Sequence, residues 1–214
     1  MRCRPLPDCR PAEGAKDGDL GALVRLYRIR NRPRSLEELA FFQTMPSLEL
    51  VIHNAALATD NRGKRFGHQC RIPASALRRA KAILSARVID IKASKSFHEL
   101  HSFLKRALGE VRGVGELYLY DTALRLGAFL GFAPEFVYLH RGTRAGALAL
   151  GLDASAEYLV LNQLPVPIRV LQAHEAEDFL CIYKSRFGNV KANSRLQATR
   201  MKPRAHEPGR LRAQ

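Results

Sequence analysis

Residues 110–131 read EVRGVGELYLYDTALRLGAFLG, and the reading of this stretch decides the fold. It begins at the end of one helical pattern and passes through Val111-Arg112-Gly113-Val114-Gly115. It continues as a second helix to Leu130, with Leu119, Ala123, Leu126 and Leu130 on one apolar face. Two helices joined by apolar-Gly-apolar-Gly make the pattern of a helix-hairpin-helix. The residue types account for its chemistry. Glycine reaches backbone angles closed to other residues and lets an anion approach bare N–H groups. The helix that opens there adds free donors and the positive end of its dipole. Val111 and Val114 are placed to pin the bend to a core. Such a device grips phosphate and is indifferent to base sequence.

Working outward, the flanking segments are also helical. Leu20 to Arg30 patterns as a short basic helix, and Ser35 with Glu38 forms a capping-box signature before LEELAFFQ. Pro46 interrupts that helix, and a further one is expected from about Ser47. TDNRGKRFGHQCR is polar and reads as a loop, with Arg62, Lys64, Arg65, His68, Gln69 and Arg71 placed to clamp a strand or to be solvated. Pro73 suits the first turn of PASALRRAKAILSA. Ser96 and Glu99 form another capping box before FHELHSFLKRALG, whose Phe97, Leu100, Phe103, Leu104 and Leu108 share a face. After the hairpin, Pro134 and Phe136 to Leu139 suggest an extended or 3-10 link, followed by a helix from Arg141 to Leu150. QLPVPIRVL, with two prolines, is expected to be extended, and AHEAEDFLCIYKSRF to form the last helix. The fold class is mainly α: a bundle of seven to nine short helices containing a helix-hairpin-helix, with disordered or extended termini. The organisation read from the chain is a disordered segment at 1–17, a helical domain at 18–188 and a basic tail at 189–214.

Composition narrows the partners. Thirty-five Lys and Arg against twenty Asp and Glu give a net charge of +15, a field that attracts polyanions without choosing among them. From Lys184 to Gln214 there are nine Lys or Arg and one Glu, so much of that charge is terminal. No apolar run approaches the roughly 18 residues needed to span a bilayer, and no apolar stretch follows the charged N-terminus. A soluble, cytoplasmic protein is expected, nucleoid-associated in a bacterium. Cys3, Cys9, Cys70 and Cys181 have no CxxC spacing, and the His98–His101 pair lacks a third ligand, so no metal site is expected.

The run Val137 to Leu152, VYLHRGTRAGALALGL, together with the hairpin, resembles the helix-hairpin-helix DNA glycosylases, the endonuclease III-like superfamily. In that family the hairpin reads Leu-Pro-Gly-Val-Gly-x-Lys-Thr-Ala. Further on come Val-Pro-Val-Asp-Thr-His-Val and a helix closing on Leu-Gly-Leu. Here Gly113-Val114-Gly115 matches the hairpin glycines, Thr122-Ala123 the Thr-Ala, and Leu150-Gly151-Leu152 the closing triplet, a likeness covering Val111 to Asp153. The resemblance implies duplex DNA as partner and a place in base-excision repair. It also allows a monovalent cation in the hairpin, and no other cofactor is expected. The phosphate-binding set expected is the amides of Gly113, Val114 and Gly115, with Arg112, Arg141, Arg144 and the basic tail adding salt-dependent affinity. The chain departs from the family at the catalytic positions. The family's Asp falls on His140, its Lys falls on Leu117 or Asp121, and the interval between Gly115 and Thr122 is longer. A rebuilt site would pair Asp121 and His140 across one cleft as base and acid. Tyr118 and Tyr120 are either stacking platforms or buried. The functions that follow are DNA binding, with glycosylase or lyase activity through a non-standard site; a protein-interaction or regulatory module in which the hairpin is only a helix joint; or RNA binding through the tail.

Overall fold

The computed structural model describes residues 19–187; the 1–17 segment and the 189–214 tail read from the sequence lie outside the described residues. Within them the chain is mainly helical: α1 Leu20–Arg30, α2 Arg32–Gln43, α3 Leu48–Leu57, α4 Ala74–Ser85, α5 Val88–Ala93, α6 Phe97–Leu108, α7 Glu116–Leu130, α8 Arg141–Leu150 and α9 Ala173–Tyr183. Two short strands, β1 Val137–Tyr138 and β2 Tyr158–Leu159, pair antiparallel with Val137 opposite Leu159. Among the described residues no helix is long and apolar enough to cross a membrane.

Capping explains most of the boundaries. Asp19 accepts from the Gly21 N–H to start α1, Ser47 from Leu50 to start α3, and Ser96 from Glu99 to start α6. The capping box at α6 is shifted, because the Glu99 carboxylate accepts from the Lys95 N–H, 2.9 Å away, rather than from that of Ser96. The box expected at Ser35 and Glu38 does not form. Pro33, whose fixed φ suits a first turn, already sits at the start of α2, so Ser35 is inside the helix and its N–H donates to Asn31 O. Pro73 stands just outside α4 as its N-cap. QLPVPIRVL is extended only in part. Leu164 is extended as expected, after a 3-10 turn at Leu161–Gln163, but Val166–Ile168 forms a second 3-10 turn closed by Ile168 N–H to Pro165 O at 2.9 Å. The proline φ is as compatible with a 3-10 turn as with extended chain.

The apolar faces gather into two cores. The larger joins α2, α3, α4, α6 and α7 around Phe42, Ile52, Leu77, Phe97, Leu104 and Leu126. The smaller joins α1, α8 and α9 around Leu23, Tyr27, Ala147, Ile168, Phe179 and Phe187. β1 runs between them. Tyr138 belongs to the larger core while Val137 and Leu139 belong to the smaller, the alternation that a strand imposes. α8 and α9 cross closely. A β-carbon on Gly146 would lie 2.3 Å from the carbonyl oxygen of Leu180, and one on Gly142 would lie 2.4 Å from Cys181 Sγ.

Candidate nucleic-acid interface and adjoining cavity

The hairpin is built as a tight bend. After α6, Val111 N–H donates to Leu108 O and Val114 N–H to Val111 O, each at 2.9 Å. Gly113 has φ +95°, a conformation side chains disfavour, and it packs on Pro73 and Ala76 at the head of α4. Val111 is buried in the larger core and Val114 packs against it, so the two valines anchor the bend. Arg112, Gly113 and Gly115 are exposed. Gly115 is the N-cap of α7 and brings no side chain to its free amides. Its φ of −123° is open to any residue, and a β-carbon there would meet nothing within 4 Å. A Ser or Asp would fit and would stabilise the helix by only about a few tenths of a kcal/mol, because glycine is itself an accepted N-cap. No hydrogen bond among the described residues occupies the amides of Gly115, Glu116 and Leu117.

The N-terminal turn of α8 is drawn to the same corner. Arg144 donates from Nη1 to the carbonyls of Ala154 and Ala156, at 2.9 and 2.7 Å, and from Nη2 to Glu116 at 3.1 Å. Arg144 thus ties α8 to the first turn of α7 and spends its donors on protein. Arg141, one turn earlier, and Arg112 in the bend are exposed and hold no ion pair among the described residues. The uncapped α7 N-terminus and the exposed Arg112 bring positive charge to this bend, although Glu116 stands beside it, while the N-terminus of α8 is capped by His140.

Asp121 and His140 are not in contact. The Asp121 carboxylate accepts from Gln69 Nε2 at 2.6 Å and meets His68 Nε2 at 2.9 Å. Burial pulls the His68 imidazole down, but the hydrogen bond and charge of Asp121 outweigh it and raise the group overall. The network continues through Gln69 Oε1, which accepts from Arg125 Nη1 at 2.9 Å, to Glu38, which accepts from Arg125 Nε at 2.9 Å. Arg125 is 1% exposed and lies over the Phe66 ring at 4.1 Å. Of the basic loop, Gln69 is buried and Arg65 donates to Ile72 O, while Arg62, Lys64 and Arg71 are exposed. His140 is buried and caps α8: Gly142 N–H donates to Nδ1 at 3.2 Å, and Nε2 meets the buried Glu177 carboxylate. With Nδ1 accepting, the proton sits on Nε2, and both ring nitrogens are occupied.

A cavity of about 260 Å³ opens between α6, α7, β1 and α8. Tyr120, Tyr138, Leu119 and Leu139 supply its apolar wall, and His101 and His140 line it too. At the rim, Lys105 pairs with Glu157 at 2.8 Å and Arg144 with Glu116. Two residues of this lining carry a buried polar atom without a protein partner, His101 Nδ1 and the Tyr120 hydroxyl, and neither atom has appreciable surface on the cavity. Each such omission costs about 1–3 kcal/mol. Burial, then the charge of Lys105, pushes His101 down to about 4, so the imidazole is neutral at physiological pH. Tyr118 and Tyr120 are both buried, the former donating to Ala56 O. His101 was readable in the sequence only as half of an unpartnered histidine pair. Tyr138, Ser155 and Glu157 carried no local signal.

Comparison of the chain with protein-family models, with curated proteins and with solved structures finds no match. The corner is therefore read from its own chemistry.

Proposed function

We propose that this protein binds nucleic acid, duplex DNA in the first place, by seating a backbone phosphate on the α7 N-terminus at the Gly113–Gly115 bend. One observation carries the reading: an exposed helix start is left without a capping side chain at a position where one would fit and stabilise. Free amides, the dipole and Arg112 in the same bend then offer a phosphate oxygen what water otherwise supplies. The contact is to backbone, so affinity depends on salt and little on sequence. His140 has no ring nitrogen to spare, so glycosylase or lyase chemistry through Asp121 and His140 forms no part of this proposal.

Gly115→Asp tests it. The new carboxylate caps α7, so thermal stability holds or rises, while the same carboxylate occupies and repels the phosphate position. Duplex affinity, measured by fluorescence anisotropy at low salt, should fall at least about tenfold, the equivalent of 1.4 kcal/mol. For the wild-type protein, log affinity should fall linearly with log salt concentration. Unchanged affinity in the variant would favour the second reading, a protein-interaction module. The packing of Gly113 on Pro73 and Ala76 supports that alternative, since it makes the bend a sound joint whether or not anything binds there.

A further inference from the structure

The loop between α3 and α4, residues 58–73, is ordered by its own chemistry. The Asp60 carboxylate accepts from the N–H groups of Arg62 and Lys64 at 2.9 and 2.8 Å, Thr59 and Arg65 pair across the bend, and Arg65 Nη1 donates to Ile72 O at 3.0 Å. The loop carries four cations, Arg62, Lys64, Arg65 and Arg71, against that one carboxylate. Arg62, Lys64 and Arg71 are exposed and hold no ion pair among the described residues. The loop lies along α7: His68 meets Asp121 on that helix, and Pro73 at the loop's end packs on Gly113 in the hairpin. From Gly115 to Asp121 the helix rises about 9 Å, a span of about three phosphates at 3.4 Å of duplex axis each.

His68 is the unusual member. Its side chain keeps 37% of its surface, yet a chain of buried groups holds it. Nε2 meets Asp121, Gln69 donates to the same carboxylate, and Arg125 donates to Gln69. A carboxylate at Nε2 fixes the proton there, so neutral His68 has a bare lone pair at Nδ1, which no group among the described residues occupies. The protonated ring offers Nδ1–H as a charged donor instead. The groups that bear on this ionisation are Asp121 and Arg125 of α7, Glu38 of α2, and Glu177 and Asp178 of α9, which feel its charge. The balance of burial against the hydrogen bond and charge of Asp121 holds the imidazole above its usual 6.5.

We infer that this loop is a second contact for the strand seated at the hairpin, with His68 as an acid-dependent receptor for a backbone phosphate beside Arg62, Lys64 and Arg71. The inference rests on the hairpin reading for its partner, duplex DNA, and on the loop alone for its pH dependence. While protonated, His68 donates from Nδ1 to a phosphate oxygen. As pH rises and the proton leaves, that donor becomes a lone pair facing an anion, and affinity falls.

The test measures the full chain on one DNA duplex by fluorescence anisotropy, at pH 6 and pH 8 and across a salt series. Wild-type affinity should fall at least about fivefold from the lower pH to the higher. His68→Gln keeps a side chain that can donate to Asp121 but takes up no charge. Its profile should be flat and its melting temperature near that of the wild type. Lys64→Gln should weaken binding at both pH values and lower the slope of log affinity against log salt by about one. Arg30→Gln removes an exposed cation from α1 and should leave slope and profile unchanged. The inference falls if His68→Gln keeps the wild-type pH profile or Lys64→Gln the wild-type slope. If those variants match the wild type while Gly115→Asp loses affinity, the hairpin reading stands alone. The reverse pattern leaves the loop as the contact and overturns the hairpin reading. A duplex that binds at neither pH overturns both.

Discussion

Arg125 shows at the scale of one residue how this fold accommodates charge in its interior. A buried guanidinium is tolerated because Glu38, Gln69 and the Phe66 face take up its donors and its charge. Arg125→Ala leaves Gln69 and Asp121 without their anchor, and a loss of about 3 kcal/mol in urea unfolding is expected. Asp178 behaves differently. Desolvation, then the charge of Glu177, raise it from 3.8 to about 7, and Tyr27 donates to it at 3.1 Å. A carboxyl whose pKa is higher in the folded state holds its proton more tightly there. Its contribution to stability is therefore intact below about pH 4 and is lost as pH rises through 7. Asp178→Asn, which keeps an acceptor for Tyr27, should be more stable than the wild type at pH 8, with the advantage shrinking by pH 5. Denaturation midpoints at the two pH values check this. Neither residue's role was open to sequence reading, since only the fold brings Glu38 and Gln69 to Arg125 and Tyr27 to Asp178.

At the scale of elements, legibility followed length and capping. α1 and α8 match their sequence readings at both ends because periodic apolar residues, a cap and a following break coincide. α5 has six residues, too few for a period to show, and was not anticipated. The start of α2 was misplaced because a Ser–Glu signature three residues downstream competed with Pro33, and φ fixed by a ring outweighed a side-chain bond. The hairpin was legible from its glycines; the cavity was not, since it joins residues of α6, α7, β1, α8 and the segment before β2, which no local pattern connects. Glycines also fix the crossing of α8 on α9. Gly146→Ala drives a methyl group into the Leu180 backbone, which cannot rotate away, and should cost about 1–3 kcal/mol by calorimetry. Gly115→Ala meets no clash but replaces an accepted N-cap with a poor one, and should lower stability by about 0.5–1 kcal/mol.

At the scale of the whole molecule, the sequence reading of a mainly α bundle agrees with the structure, while its division into two cores was not foreseen. The alternation of β1 has a mechanical consequence. Because adjacent residues of one short strand are rooted in opposite halves, that strand is a party wall, and neither half can loosen while the other keeps its full complement of neighbours. Heating should therefore give one transition whose calorimetric and van't Hoff enthalpies agree, and a second endotherm would show that the wall can be breached from one side. The cavity is cut into this wall at Tyr138 and Leu139, so a guest lodged there would brace both halves at once and raise the temperature at which they part together.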